Sequence, residues 1–161
     1  MTDTKNGERK GRRPGRPSSP RGSSTRKPSR TSRNAAASRN AAAEEARKLA
    51  LVIAGAALEK KALAVEILDV VGKVDYADFL VLMTGRSNRQ VDALRQAVEE
   101  ECAKKKQRAL SIEGTGAASW ILIDFGDVVV HIFQEEARGL YDIEGLWLDA
   151  QRLPVPGQSH Q

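Results

Sequence analysis

Side chains that hold a proton, a metal or a covalent bond are few in this sequence, and their spacing is poor for catalysis. Two histidines occur, His131 inside an apolar run and His160 near the C-terminal end. A Ser/His/Asp arrangement would rest on His131, yet no Gly-x-Ser-x-Gly turn accompanies it. His131 is left either as a general acid or base, or as a sheet histidine held by hydrogen bonds. Asp124 and Asp127 straddle Gly126 at a separation of three. Metal-dependent phosphoryl transfer needs carboxylates on one strand face, typically two apart, to share a cation. Side chains alternate along a strand, so no such pair forms. Asp75 and Asp78 fall in a turn, where short acids cap backbone. Gly114-Thr115-Gly116 lacks the Gly-Lys-Ser/Thr that cradles phosphates. Cys102 lies on the apolar side of a helical pattern and reads as packing. As the only cysteine it supports neither an internal disulfide nor a thiolate zinc site, and it points to a reducing compartment. No catalytic, cofactor or metal residue and no small-molecule substrate is expected. The chemistry is that of a binding module.

One surface stands out. Along 120–125, Trp120, Leu122 and Asp124 alternate against Ile121, Ile123 and Phe125. After Gly126, Asp127, Val129 and His131 alternate against Val128, Val130 and Ile132. One face thus gathers Trp120, Asp124, Asp127 and His131. An aromatic ring among acids suits a basic protein partner; alternatively, Trp120 is simply core.

The elements that must position these residues follow from periodicity. Glu44 to Lys61 carries Leu49, Val52, Ile53, Ala56 and Ala57 as a helical stripe. Asn40, a good N-cap before three alanines, is the expected opening of that helix. Leu63 to Val71 reads as a strand ending at Gly72. Phe79 to Met83 is a continuous apolar run, the mark of a strand covered on both faces. Ser87-Asn88-Arg89-Gln90 fits a capping box, with Gln90 reaching back. Val91, Leu94, Val98 and Cys102 follow at helical spacing, and Lys104, Lys105 and Lys106 close that helix where positive charge suits its dipole. A solvated helix end is the plain reading of these lysines, a phosphate site the other. Ala109 to Glu113, Trp120 to Phe125 and Val128 to Phe133 are strands, the last two an antiparallel hairpin around Gly126-Asp127. Glu135 to Gly139 starts a helical turn, and Tyr141 to Ala150 is amphipathic, with Gly145 weakening it by about 1 kcal/mol relative to Ala. Pro154 and Pro156 end the order. This pattern predicts an α/β (α+β) domain with one mixed β-sheet of about five strands flanked by helices.

Charge divides the 161 residues. Residues 1–43 hold twelve Lys/Arg against Asp3 and Glu8, whereas 44–161 hold fourteen basic and nineteen acidic residues, which together give the net +5. The expected organisation is a disordered basic Arg/Ser/Pro-rich tail over 1–43, a folded domain over 44–153 and a disordered C-terminus over 154–161. The tail has almost no apolar side chain between residues 5 and 34, and Pro14, Pro17, Pro20 and Pro28 exclude a continuous helix. It reads as a nucleic-acid arm, a solvated extension, or an organellar transit peptide, the last weakened by its low apolar content. The longest apolar run, Leu49 to Leu58, is about half of what a membrane span needs, and nothing apolar follows the basic start as in a signal peptide, so no membrane association is expected.

Three stretches carry a resemblance: Asp75-Tyr-Ala-Asp-Phe-Leu-Val-Leu-Met-Thr-Gly85-Arg-Ser-Asn-Arg-Gln-Val91, then Trp120-Ile-Leu-Ile-Asp124-Phe-Gly-Asp127-Val-Val-Val-His131-Ile-Phe, then Glu135-Glu-Ala-Arg138-Gly-Leu-Tyr141-Asp-Ile-Glu144-Gly-Leu-Trp147-Leu-Asp-Ala. From Leu63 to Ala150 the chain resembles the ribosomal silencing factor (RsfS, or Iojap) family. The resemblance implies a nucleotidyltransferase-like core without catalytic acids, and a non-enzymatic role. It implies binding to the large ribosomal subunit through ribosomal protein L-fourteen, steric exclusion of the small subunit, and lower translation when nutrients are short. It also implies a homodimer when free and a cytoplasmic location, organellar if the tail is a transit peptide. Carried-over binding positions are Trp120, Tyr141 and Glu144, with Asp124, Asp127, His131 and Arg138 as motif residues of the same surface. The basic tail lies outside the family core, so its role is not inherited from the resemblance; contact with neighbouring ribosomal RNA is one use open to it. Two other roles stay open, a large-subunit assembly factor using the same surface and a nucleotidyltransferase with unusual acids.

Overall fold

A computed structural model describes residues 29–114, 119–141, 145 and 147–158, and nine elements are defined among them. They are α1 (Arg30–Glu59), β1 (Leu63–Asp69), β2 (Phe79–Gly85), α2 (Asn88–Lys104), β3 (Ser111–Glu113), β4 (Trp120–Asp124), β5 (Val128–Gln134), α3 (Glu135–Tyr141) and β6 (Gln151–Leu153). The first helix starts earlier than Asn40 suggests. Ser29 is its N-cap, accepting from the Ser32 backbone N–H at 3.2 Å. Alanine and arginine favour helix, so nothing stops α1 from extending back until Pro28. The expected boundary at 43 therefore divides a helix: residues 30–43 are helical rather than disordered, and almost wholly exposed. Docking begins at Ala46, and Ala50, Ile53, Ala54 and Ala57 continue the buried stripe.

The strands form one mixed sheet in the order β3-β4-β5-β2-β1-β6. Only β2 and β5 pair in parallel, and the β4–β5 pair is the expected antiparallel hairpin. A sixth strand escapes sequence reading because Gln151-Arg152-Leu153 is short, mostly polar and followed by Pro154. It gains strand geometry by pairing with β1. The segment 147–149 forms turns rather than the expected continuous helix.

Continuous apolar patterning puts β2 at the centre, where all seven of its residues are buried. Its last residue must be glycine, because a Cβ on Gly85 would lie 2.9 Å from Val91 Cγ2 and 3.0 Å from Val91 N. That close approach seats the start of α2 on the sheet. Ser87 caps α2 by accepting from Gln90 N–H at 3.2 Å. Gln90 reaches back one residue further than a simple capping box, accepting from Arg86 N–H at 2.8 Å. Its Nε2 donates to Lys60 O and Lys61 O at 3.3 and 3.1 Å, so it also ties the start of α2 to the end of α1.

Both helices cover one face of the sheet. Ile53 and Ala57 of α1 and Val91, Leu94, Val98 and Cys102 of α2 pack with Val81, Val130, Ile132, Ile121 and Ile123. Burial pushes the Cys102 thiol up to about 12, with Glu101 and Glu99 adding to the shift. The opposite face holds a smaller cluster of Leu68, Val70, Ala77, Leu80, Leu82, Val129, Phe133 and Ala150, with Trp120, Leu122 and Trp147 packed against it. Among the described residues no helix is long and apolar enough to cross a membrane.

Candidate functional site

Strand register decides which sequence-predicted residues meet. Trp120 pairs with Phe133, Leu122 with His131, and Asp124 with Val129. On the next strand Leu82 stands opposite His131 and Thr84 opposite Phe133. Trp120, His131 and Phe133 therefore form a diagonal group on the face away from the helices. Their ring centroids lie 5.6 Å apart for Trp120–His131 and 5.4 Å for Trp120–Phe133, both stacked. Trp120 Nε1–H donates to His131 Nδ1 at 3.1 Å. That bond uses Nδ1 as an acceptor, so the imidazole is neutral with its proton on Nε2. Burial lowers the His131 pKa to about 4. A histidine kept neutral with one nitrogen occupied is a structural support for Trp120, in keeping with the sheet-histidine reading. Trp120 itself is half-buried, part core and part surface.

The two acids do not join this group. Asp124 is four residues along β4 from Trp120, about 13 Å in extended chain. Its Oδ1 accepts from Gly126 N–H at 2.7 Å, shaping the hairpin turn. Asp127 is exposed, and its backbone oxygen accepts from Asp78 N–H at 2.7 Å and Phe79 N–H at 3.1 Å. Asp127 also lines a groove shared with α1, on the helix side. Alternation correctly puts Trp120 and His131 on one face, but the turn draws Asp124 and Asp127 into its own hydrogen bonding. Burial, then the charges of Asp127 and Asp69, raise the Asp78 carboxyl above its usual range. Among the described residues no group of His, Cys, Asp and Glu could hold a metal ion.

Arg138 has a clear task. From α3 its guanidinium donates to Ala64 O, to Thr84 Oγ1 at 2.8 Å and to Glu66 Oε2 at 3.3 Å. Ala64 has a left-handed backbone (φ 47°) at an irregularity in the β1–β2 register between Leu63 and Glu66. Arg138 thus clamps α3 onto the bulged start of β1. Arg152 on β6 approaches the other oxygen of Glu66 at 3.5 Å. Sequence reading missed Glu66, Thr84 and Arg152 as partners. The available signal was Glu66 itself, an acid between Val65 and Ile67 that needs a cation if it is to be half-buried. Phe133 was also missed, though it is in phase with His131. Gly114 (φ 83°) lies against Trp120, where a Cβ would meet the Trp120 carbonyl oxygen at 2.1 Å. Beyond α3, Lys73 Nζ binds Asp149 Oδ2 at 2.9 Å, holding the β1–β2 loop to the segment that carries Trp147 and lowering the Asp149 pKa. The Tyr141 side chain and Glu144 lie outside the described residues. Leu140 and Leu148, on either side of that stretch, are 80% and 77% exposed, so this end of the sheet leaves apolar side chains facing solvent.

Known proteins resemble this chain in sequence and in fold. The sequence profile of the family described as "Ribosomal silencing factor during starvation" matches residues 43–161. The ribosomal silencing factor RsfS of Bacillus subtilis is 36% identical over 105 residues, covering 65% of this chain and 89% of that protein. The maize protein named "Protein Iojap, chloroplastic" is 35% identical over 112 residues, covering 70% of this chain and 49% of the maize chain. A crystal structure of a Chromobacterium violaceum protein superposes with a TM-score of 0.62 at 28% identity, covering 72% of this chain and 96% of that one. The match spans the helix-covered core, the Trp120–His131 face and the Arg138 clamp together, and on that ground the chain belongs to the ribosomal silencing factor (RsfS/Iojap) family.

Proposed function

We propose that this protein represses translation by occupying the large ribosomal subunit at ribosomal protein L-fourteen and sterically excluding the small subunit when nutrients are limiting. The family match across 43–161 carries this reading. Its physical support is the excess of nineteen acidic over fourteen basic residues in 44–161. An acidic domain complements a basic ribosomal protein, mainly in association rate and salt dependence. The contact surface runs from Trp120 to Tyr141 and Glu144, with Arg138 and His131 holding it in shape and Asp124 and Asp127 shaping the adjoining hairpin turn. No reaction is required of it. The free protein is a homodimer, the setting is the cytoplasm, and the basic tail reaches neighbouring ribosomal RNA. A chloroplast name among the relatives makes an organellar setting the alternative.

Subunit joining followed by light scattering tests this. Large subunits preincubated with the protein should join small subunits poorly, and Tyr141→Ala or Glu144→Ala should restore joining without lowering the melting temperature. Unchanged joining, with binding confirmed by co-sedimentation, rejects occlusion and favours a role in large-subunit assembly. Melting far below wild type for either variant would mean that packing residues had been taken for contact residues.

A further inference from the structure

We infer that the helix-covered side carries a second interaction surface, for the phosphate backbone of double-helical RNA, built from Lys105, Lys106 and Arg108 in the turn after α2, where Lys105 lies beside the first docked turns of α1. It extends the tail contact proposed above onto the folded domain, and rests on that reading for the choice of RNA.

The juxtaposition comes from the antiparallel packing of the helices. Gln90 joins the start of α2 to the end of α1, so the end of α2 meets α1 where α1 first docks. There a groove of about 280 Å³ is lined by Lys48 and Leu49 from one side and Lys105 and Gln107 from the other. The turn after α2 is fixed by backbone bonds from Lys105 N–H and Gln107 N–H to Cys102 O and from Lys106 N–H to Ala103 O. Residues 103–108 are all exposed. Lys104 is paired with Glu101 at 2.7 Å and Lys48 with Glu45 at 3.3 Å. Among the described residues, Lys105, Lys106 and Arg108 make no ion pair, within a domain that has acids to spare.

From this cluster the cations continue outward. Arg30, Arg33 and Arg39 lie on the exposed part of α1, a rod of about 20 Å, and no acid occurs between Glu8 and Glu44. Residues 30–43 and 103–108 contain no aromatic and no large aliphatic side chain, the anchors a protein interface would need. Cations spread around an exposed helix that has no acid among them, together with those of the turn after α2, suit the phosphate rows of a duplex, recognised by shape and charge. Glu45 and Asp127 on the groove wall keep the phosphates on the rim. This surface lies across the sheet from Trp120, so one molecule can hold protein and RNA at once.

Fluorescence anisotropy with a labelled RNA duplex of about 20 base pairs, and a DNA duplex of the same sequence, tests the proposal on the full chain between 50 and 200 mM salt. The triple variant Lys105→Gln/Lys106→Gln/Arg108→Gln should bind RNA about tenfold more weakly, with a salt slope reduced by about 2. A control with the same charge change at the far end of the helices, Lys60→Gln/Lys61→Gln/Arg86→Gln, should change affinity by less than about twofold. Equal losses in both variants, or none in the first, overturn the surface. Equal affinity for DNA overturns the choice of RNA. Local loss in the first variant of a protein that leaves subunit joining unaffected would uphold this surface while rejecting the silencing reading.

Discussion

On the helix-covered face, β5 contributes Val128, Val130 and Ile132; on the opposite face it contributes Val129, His131 and Phe133. All six are buried. The first set belongs to the apolar cluster formed with α1, α2 and neighbouring strands. The second borders a hydrogen-bonded Trp–His pair and, at its end, an arginine clamp. One strand thus serves a face dominated by apolar packing and a face whose polar groups must be matched one by one. The two faces should respond differently to the same kinds of insult.

Val130→Asp is the most severe test. It places an unpaired carboxylate where no water reaches, at a cost of more than about 4 kcal/mol, and the protein should not fold by circular dichroism. Normal melting would show that the face assignment is inverted. His131 supplies the next effect, driven by pH. Its folded pKa of about 4 lies below the 6.5 of a free histidine. Above pH 6.5 both folded and unfolded forms are neutral and stability is full. As pH falls from 6.5 to 4, the unfolded chain takes up a proton that the folded one refuses, so stability declines. The loss totals about 3 kcal/mol and levels off below pH 4. Urea midpoints of wild type and His131→Phe across that window should differ in slope; parallel curves would mean that His131 is solvated.

Arg138→Ala comes third, at about 2 kcal/mol, because it leaves half-buried Glu66 with Arg152 alone and takes the guanidinium donor from the Ala64 carbonyl. Glu66→Gln should cost less, since the amide still accepts from Arg138. Trp120→Phe is the mildest, about 1 kcal/mol. It keeps the stacking but removes the N–H, and it should raise the His131 pKa measured by NMR by freeing Nδ1. No change in that pKa would separate the stack from the hydrogen bond.

The two faces also differed in how far they could be read from sequence. The apolar face was legible because period alone specifies it: Phe79–Met83, Val91–Leu94–Val98–Cys102 and the Ile121/Ile123 alternation all fall where expected. The mixed sheet and the hairpin followed from the same patterns. The polar face was legible only in part. Alternation put Trp120 and His131 together, but Arg138 meets Glu66 and Thr84 across separations of 72 and 54 residues, which no local pattern encodes. Asp124 and Asp127 share strand parity with Trp120, yet turn geometry claims them, a competition invisible to alternation. β6 was missed because its three residues take their geometry from the partner strand. The early start of α1 was missed because Asn40 is a good cap in isolation, while the helix runs back to Arg30 and is capped by Ser29.

Cys102, buried at 0% exposure within the helix-covered core, has a kinetic consequence. A thiol reagent reaches it only when α2 lifts from the sheet, and at neutral pH a thiol titrating near 12 presents almost no thiolate while closed. Because the chain has no other cysteine, its labelling rate is a clock for the opening of that one core. Under fast reclosing the rate reads the free energy of opening, and under slow reclosing the opening rate itself. The residue least suited to chemistry in the folded protein is therefore the one whose reaction would time its breathing.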